Sequence, residues 1–125
     1  MTDSRTPTAK VRGHRASGHG ASHWIMQRIS SVALFILIPP FVWMFSQSGA
    51  PDPVLTRAFL ASPMGSVLTL LTLSATFLHM RLGLQVVIDD YISKATTKTM
   101  LLLANTLLTV GLWLVTVFCL IKLAF

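Results

Sequence analysis

The chain has 125 residues, 53% hydrophobic and 11% charged, with no Glu anywhere and a formal net charge of +6. So apolar a chain with so few charges is not an ordinary water-soluble domain, in which about a quarter of residues are charged. Its one cysteine, Cys119, excludes a disulfide framework or a zinc cluster held within the chain.

Residues 1–23 read as a flexible tail, rich in Ser, Gly, Thr and Arg. Its basic charge does not point to nucleic acid, because no aromatic residue for base stacking precedes Trp24. The tail also has the Arg- and Ser-rich, acid-poor composition of a mitochondrial transit peptide. Its retention from Met1 favours a bacterial inner membrane instead.

Three apolar runs follow, and a spanning helix needs roughly 20 such residues. The first is uncharged from Ile29 to Phe45 and extends back through Trp24, Ile25 and Met26 if Arg28 snorkels to the headgroups. Pro39 and Pro40 inside it remove backbone donors and predict a kink covered by neighbouring helices. Between the spans, Val54 to Leu60 form a short amphipathic piece suited to the membrane interface. The second run, Met64 to Ile88, follows Ser62 and Pro63, an N-cap with proline at the first helical position. The third, Met100 to Phe125, carries only Lys122 as a charge. The expected architecture is all-α: one transmembrane domain over residues 24–125, with helices over about 25–46, 63–89 and 98–124.

Lys and Arg set the orientation. Arg5, Lys10, Arg12, Arg15 and Arg28 precede the first span, and Lys94 and Lys98 occupy the turn after the second, against only Arg57 and Lys122 on the other side. The N-terminus is therefore expected in the cytoplasm and the C-terminus in the periplasm, as in a multi-pass protein of the bacterial inner membrane.

Chemistry is expected at polar residues that the bilayer makes expensive, and the second span holds His79 and Arg81, while the first and third offer nothing comparable. His79 lies roughly 22 Å from the outer start of its helix and roughly 13 Å from the inner end. Helical spacing puts His79, Gly83, Val86 and Asp90 on one stripe, and Gly83 leaves room for a large flat group to approach. A neutral imidazole there suits haem iron, though a histidine hydrogen-bonded to a neighbouring helix without a cofactor is the alternative. His14, His19 and His23 lie about 13 Å too shallow to face His79 across a haem plane, so a second axial histidine must come from another chain. At the inner end, Asp89 and Asp90 stand where the helix dipole is negative, followed by Tyr91. These are either a solvated turn with an ordinary interfacial tyrosine, or a place where a quinone meets protons. In the second case the phenol donates to a quinone carbonyl and the carboxylate orients it or relays protons.

The stretch His79-Met-Arg-Leu-Gly83-Leu-Gln-Val-Val-Ile-Asp89-Asp90-Tyr91 resembles the motif of the hydrophobic membrane anchor subunits of succinate dehydrogenase. The segment His23-Trp24-Ile25-Met26-Gln27-Arg28-Ile29-Ser30-Ser31 and the Arg57 to Ser62 linker are also similar to bacterial members. The resemblance implies a non-catalytic subunit of a succinate:ubiquinone oxidoreductase of the tricarboxylic acid cycle. Its partners would be a flavoprotein, an iron-sulfur protein and a second anchor, the cytochrome b subunit, that completes the helical bundle. It implies haem b shared between the anchors, with His79 as this chain's axial ligand and Arg28 and His23 near the propionates, while the charge of Arg81, which it does not assign, either pairs with a propionate or snorkels inward. It further implies that Tyr91 and Asp90 meet ubiquinone. Two other readings stand beside it: the anchor of a related quinol:fumarate reductase, and a haem-free small transport or assembly protein in which His79 and Arg81 form a buried polar pair.

Overall fold

A computed structural model describes residues 19–49 and 51–124. They form four helices: α1 (His19–Gln47), α2 (Pro53–Ala61), α3 (Pro63–Tyr91) and α4 (Ala95–Ala124). Within α1, α3 and α4, the stretches Ala21–Gln47, Pro63–Tyr91 and Ala95–Leu123 are long and apolar enough to cross a membrane. The segment read as a tail lies largely outside the described residues, but α1 takes in His19 to His23 from it. The helix runs on through Pro39 and Pro40 without interruption.

α3 is the central helix, packed against α1 on one side and α4 on the other, while α2 leans on both α3 and α4. Neighbouring spans are antiparallel, which puts the start of α1 and the α3–α4 turn at one end of the layer and α2 at the other. We call these the turn end and the α2 end.

The short helix and the corner after it are written into local chemistry. Gly49, at φ +87°, ends α1 in a conformation that other residues rarely adopt. Asp52 then caps α2, its Oδ1 accepting from the amides of Val54 at 2.7 Å and Leu55 at 3.1 Å, with Pro53 at the first helical position. Ser62 ends one helix and starts the next: its amide donates to the carbonyls of Ala58 and Phe59, and its Oγ accepts from the amide of Gly65 at 3.1 Å. A side chain on Gly65 would run into the Phe59 carbonyl, so the corner between α2 and α3 closes only over glycine.

Packing is the reverse of a water-soluble core. Leu82 and Leu120 are the only buried apolar side chains among the described residues, whereas Ser30, Thr69, Thr72, Asn105 and Thr109 are all buried. Phe35, Trp43 and Phe118 point outward. Lipid provides no hydrophobic drive between helices, so close packing of small residues and interhelical hydrogen bonds hold the layer together. Thr72 and Thr109 bond back to their own helix, to the carbonyls of Leu68 at 2.8 Å and Asn105 at 2.7 Å, whereas the buried hydroxyl of Thr69 has no partner among the described residues.

Candidate functional site

The α1–α3 interface is built on a polar stripe of α1. Residues 23, 27 and 30 share one helical face, and the structure turns that face toward α3. Ser30 Oγ lies 3.0 Å from His79 Nδ1, and Gln27 faces Gly83. Ser30 is 2% exposed, so water cannot replace that contact. Its hydroxyl proton goes to the Gln27 carbonyl at 2.9 Å, which leaves the oxygen to accept from His79. In that arrangement of the shared protons the imidazole carries its own on Nδ1 and keeps the Nε2 lone pair for an electrophile. Nε2 makes no hydrogen bond among the described residues. The ring also lines an open groove of about 390 Å³ walled by Leu34, Phe35, Ile38 and Pro39, with Ser31 at its edge.

A neutral nitrogen donor, oriented from behind by a buried hydroxyl and set in an apolar wall, is the chemistry that a haem iron takes. His23, two turns toward the turn end, has a buried Nε2 with no partner among the described residues. Arg28, on a different face of α1, stacks its guanidinium 5.2 Å from the centroid of the Trp24 ring and makes no hydrogen bond or ion pair among the described residues. These groups suit acidic substituents on such a ring. Because His79 is level with Ser30, His23 stands seven residues away along α1, or roughly 10 Å. That is too far for it to bind the opposite face of an iron held by His79. His14 lies outside the described residues.

Three sequence expectations change here. Gly83 does not open a space for a flat group: Gln27 occupies it, with a Cβ position 3.6 Å from the Gln27 Nε2. The opening lies instead along the α1 side of His79. Arg81, two residues and therefore about 200° from His79, faces α4. It lines a separate groove with Ser74, Phe77, Thr109 and Trp113, and its buried Nε has no partner among the described residues. His79 and Arg81 thus form no buried pair, while the bond from His79 to a serine of the neighbouring helix is the contact that the cofactor-free alternative also expects. Finally, the first and third spans do supply polar groups. Besides Ser30 and Gln27, Asn105 of α4 donates to the Arg81 carbonyl at 2.9 Å, and Trp113 donates to Ser74 Oγ at 2.8 Å. Serine and asparagine inside apolar runs were the available signal, but only the fold shows which helix each one meets.

At the turn end, Asp89 forms an ion pair with Lys98 at 2.8 Å, and the same ammonium reaches the Asp89 carbonyl. This compensates the carboxylate at the negative pole of α3. Asp90 and Tyr91 are exposed side by side, with Tyr91 at 82%, and neither has a partner among the described residues. They stand roughly 17 to 18 Å along the axis from His79. The phenol and the free carboxylate are both open to a ligand arriving from the membrane.

The family described as succinate dehydrogenase/fumarate reductase transmembrane subunit matches residues 2–121. The chain is similar to the succinate dehydrogenase hydrophobic membrane anchor subunit of Rickettsia bellii, 28% identical over 119 residues covering 93% of this chain and 95% of the relative. It is 29% identical to that of Rickettsia typhi over 92 residues, 73% of each chain. The subunit of the same name from Paracoccus denitrificans is 26% identical over 93 residues, covering 74% of this chain and 72% of its own.

Proposed function

The chain belongs to the family of succinate dehydrogenase/fumarate reductase transmembrane subunits, and from that premise we propose that it is the membrane anchor of a succinate:ubiquinone oxidoreductase in a bacterial inner membrane. In this reading it carries no catalytic residue for succinate oxidation. It holds a flavoprotein and an iron-sulfur subunit at the turn end, which faces the cytoplasm, and packs against a second anchor. The relatives' names favour succinate oxidation over fumarate reduction.

The observation that carries the proposal is the chain of hydrogen bonds from His79 Nδ1 through Ser30 Oγ to the Gln27 carbonyl, because it prepares Nε2 as a ligand. His79 would hold haem b iron from this side, with the second axial ligand on the partner anchor. Arg28 and His23 would hold the propionates. Arg81 faces α4, away from His79. Bound haem supplies a one-electron redox centre within the membrane. Tyr91 donates its phenol proton in a hydrogen bond to a ubiquinone carbonyl, and Asp90 beside it passes protons between water and the quinone site.

The test is a reduced-minus-oxidised spectrum of the complex purified from membranes, with its co-purifying subunits identified. A haem b band that His79→Ala abolishes, together with a flavoprotein and an iron-sulfur partner, is the expected result. A colourless complex, or one whose spectrum is indifferent to His79, overturns it.

A further inference from the structure

At the α2 end, two cations meet in one groove. Arg57 of α2 and Lys122 of α4 line an opening of about 400 Å³ together with Cys119 and Leu123. Both are exposed, and neither makes a hydrogen bond or ion pair among the described residues. The acids at hand offer no relief. Among the described residues, Asp89 and Asp90 lie at the opposite end of the layer, and Asp52 is occupied in capping α2. Lys122 alone has a structural reason to be there, since a cation in the last turn of α4 complements its dipole. Arg57, in the middle of α2, has none.

The setting defines the anion. α2 exposes Val54 and Leu55, as a helix lying in the membrane interface does. α4 ends at the same level, and below the two cations Phe118 and Ile121 are exposed on α4 where acyl chains would run. We propose that this groove binds a phospholipid of the leaflet on the α2 side, its phosphodiester held between Arg57 and Lys122 and its chains lying along the end of α4. An anionic headgroup fits the doubled positive charge better than a zwitterionic one, whose own cation would enter the same groove.

The test uses the full chain, extracted with its bound subunits and reconstituted in discs of phosphatidylcholine containing a small fraction of phosphatidylglycerol. Lipid retained after detergent washing is counted by native mass spectrometry. Phosphatidylglycerol should be enriched over its share of the disc, and the R57Q/K122Q variant should lose about twenty-five-fold in occupancy at limiting lipid, at about fivefold for each charge. The charge-preserving R57K/K122R variant should keep it, and millimolar inorganic phosphate should not displace it. Equal retention by R57Q/K122Q, loss in R57K/K122R, or displacement by inorganic phosphate each overturns the proposal. So does a wild-type complex that takes up phosphatidylglycerol only after another subunit is stripped away. All these side chains are exposed, so unchanged circular dichroism is expected of every variant.

Discussion

Ser30→Ala isolates the contact on which the haem proposal turns. In the wild-type chain the serine oxygen accepts the His79 Nδ1 proton, and its own proton goes to the Gln27 carbonyl. Removing the hydroxyl leaves a donor without a partner at a position where Ser30 was 2% exposed, at a cost of about 1–3 kcal/mol. The imidazole can escape by moving its proton to Nε2, but that consumes the lone pair proposed to ligate iron. Either way affinity for haem falls, and loss of an outer-shell partner of a metal-bound histidine weakens binding about 10- to 100-fold. At about 1.4 kcal/mol per tenfold, this is the same interval as the hydrogen-bond estimate. The assay follows transfer of haem from the purified complex to an excess of a haem-scavenging apoprotein. Faster transfer from Ser30→Ala, with most of the retention restored in Ser30→Thr, is expected. Haem lost at the wild-type rate from Ser30→Ala would refute the reasoning, whatever happened to turnover.

Tyr91→Phe should lower quinone reduction severalfold by steady-state assay and leave the haem spectrum unchanged, since the two sites are separated by roughly 18 Å of helix. Gly65→Ala should destabilise the chain by about 1–3 kcal/mol in thermal unfolding, because the new methyl meets the Phe59 carbonyl at a closed corner. Lys98→Ala should cost less than about 1 kcal/mol, and the difference should vanish at high salt, because both partners of its ion pair remain partly exposed. Asn105→Leu should loosen α3 from α4 by about 0.6 kcal/mol, read as a small fall in melting temperature, the scale typical of interhelical hydrogen bonds in membranes.

The spans were legible in the sequence because lipid demands long apolar runs, and Ser62-Pro63 marked the start of α3 to the residue. The ends of α1 and α4 were less so. His19 to His23 and Ala95 to Lys98 are polar, β-branched or small, and such residues do not announce a helix. The Lys98–Asp89 pair, invisible to periodicity, fastens the start of α4 to the end of α3. The amphipathic pattern of Val54 to Leu60 shows an interfacial piece, and Asp52 before Pro53 makes it a capped helix. At the site, His79 could be singled out by its expense in the bilayer, but Ser30 could not. A serine in an apolar run most often bonds back within its own helix, and the histidine that it meets is 49 residues away in sequence. Separating Arg81 from His79 was within reach: two residues of helix turn a side chain to the far face. Which neighbour waits on each face was not, because all three spans are apolar nearly all round.

Ser62 and Gly65 join α2 to α3 without a loop, so the two helices turn as one body. The orientation of α2 along the membrane surface therefore fixes the azimuth of every side chain on α3, including one almost 25 Å away at His79. An insertion or deletion of one residue between Gly65 and Leu78 would move the imidazole by only about 1.5 Å in depth, but would swing it about 100° away from Ser30. The number of residues separating the corner from His79 acts as a gauge, and natural variation in chain length is affordable on the outer side of Ser62 but not within that interval.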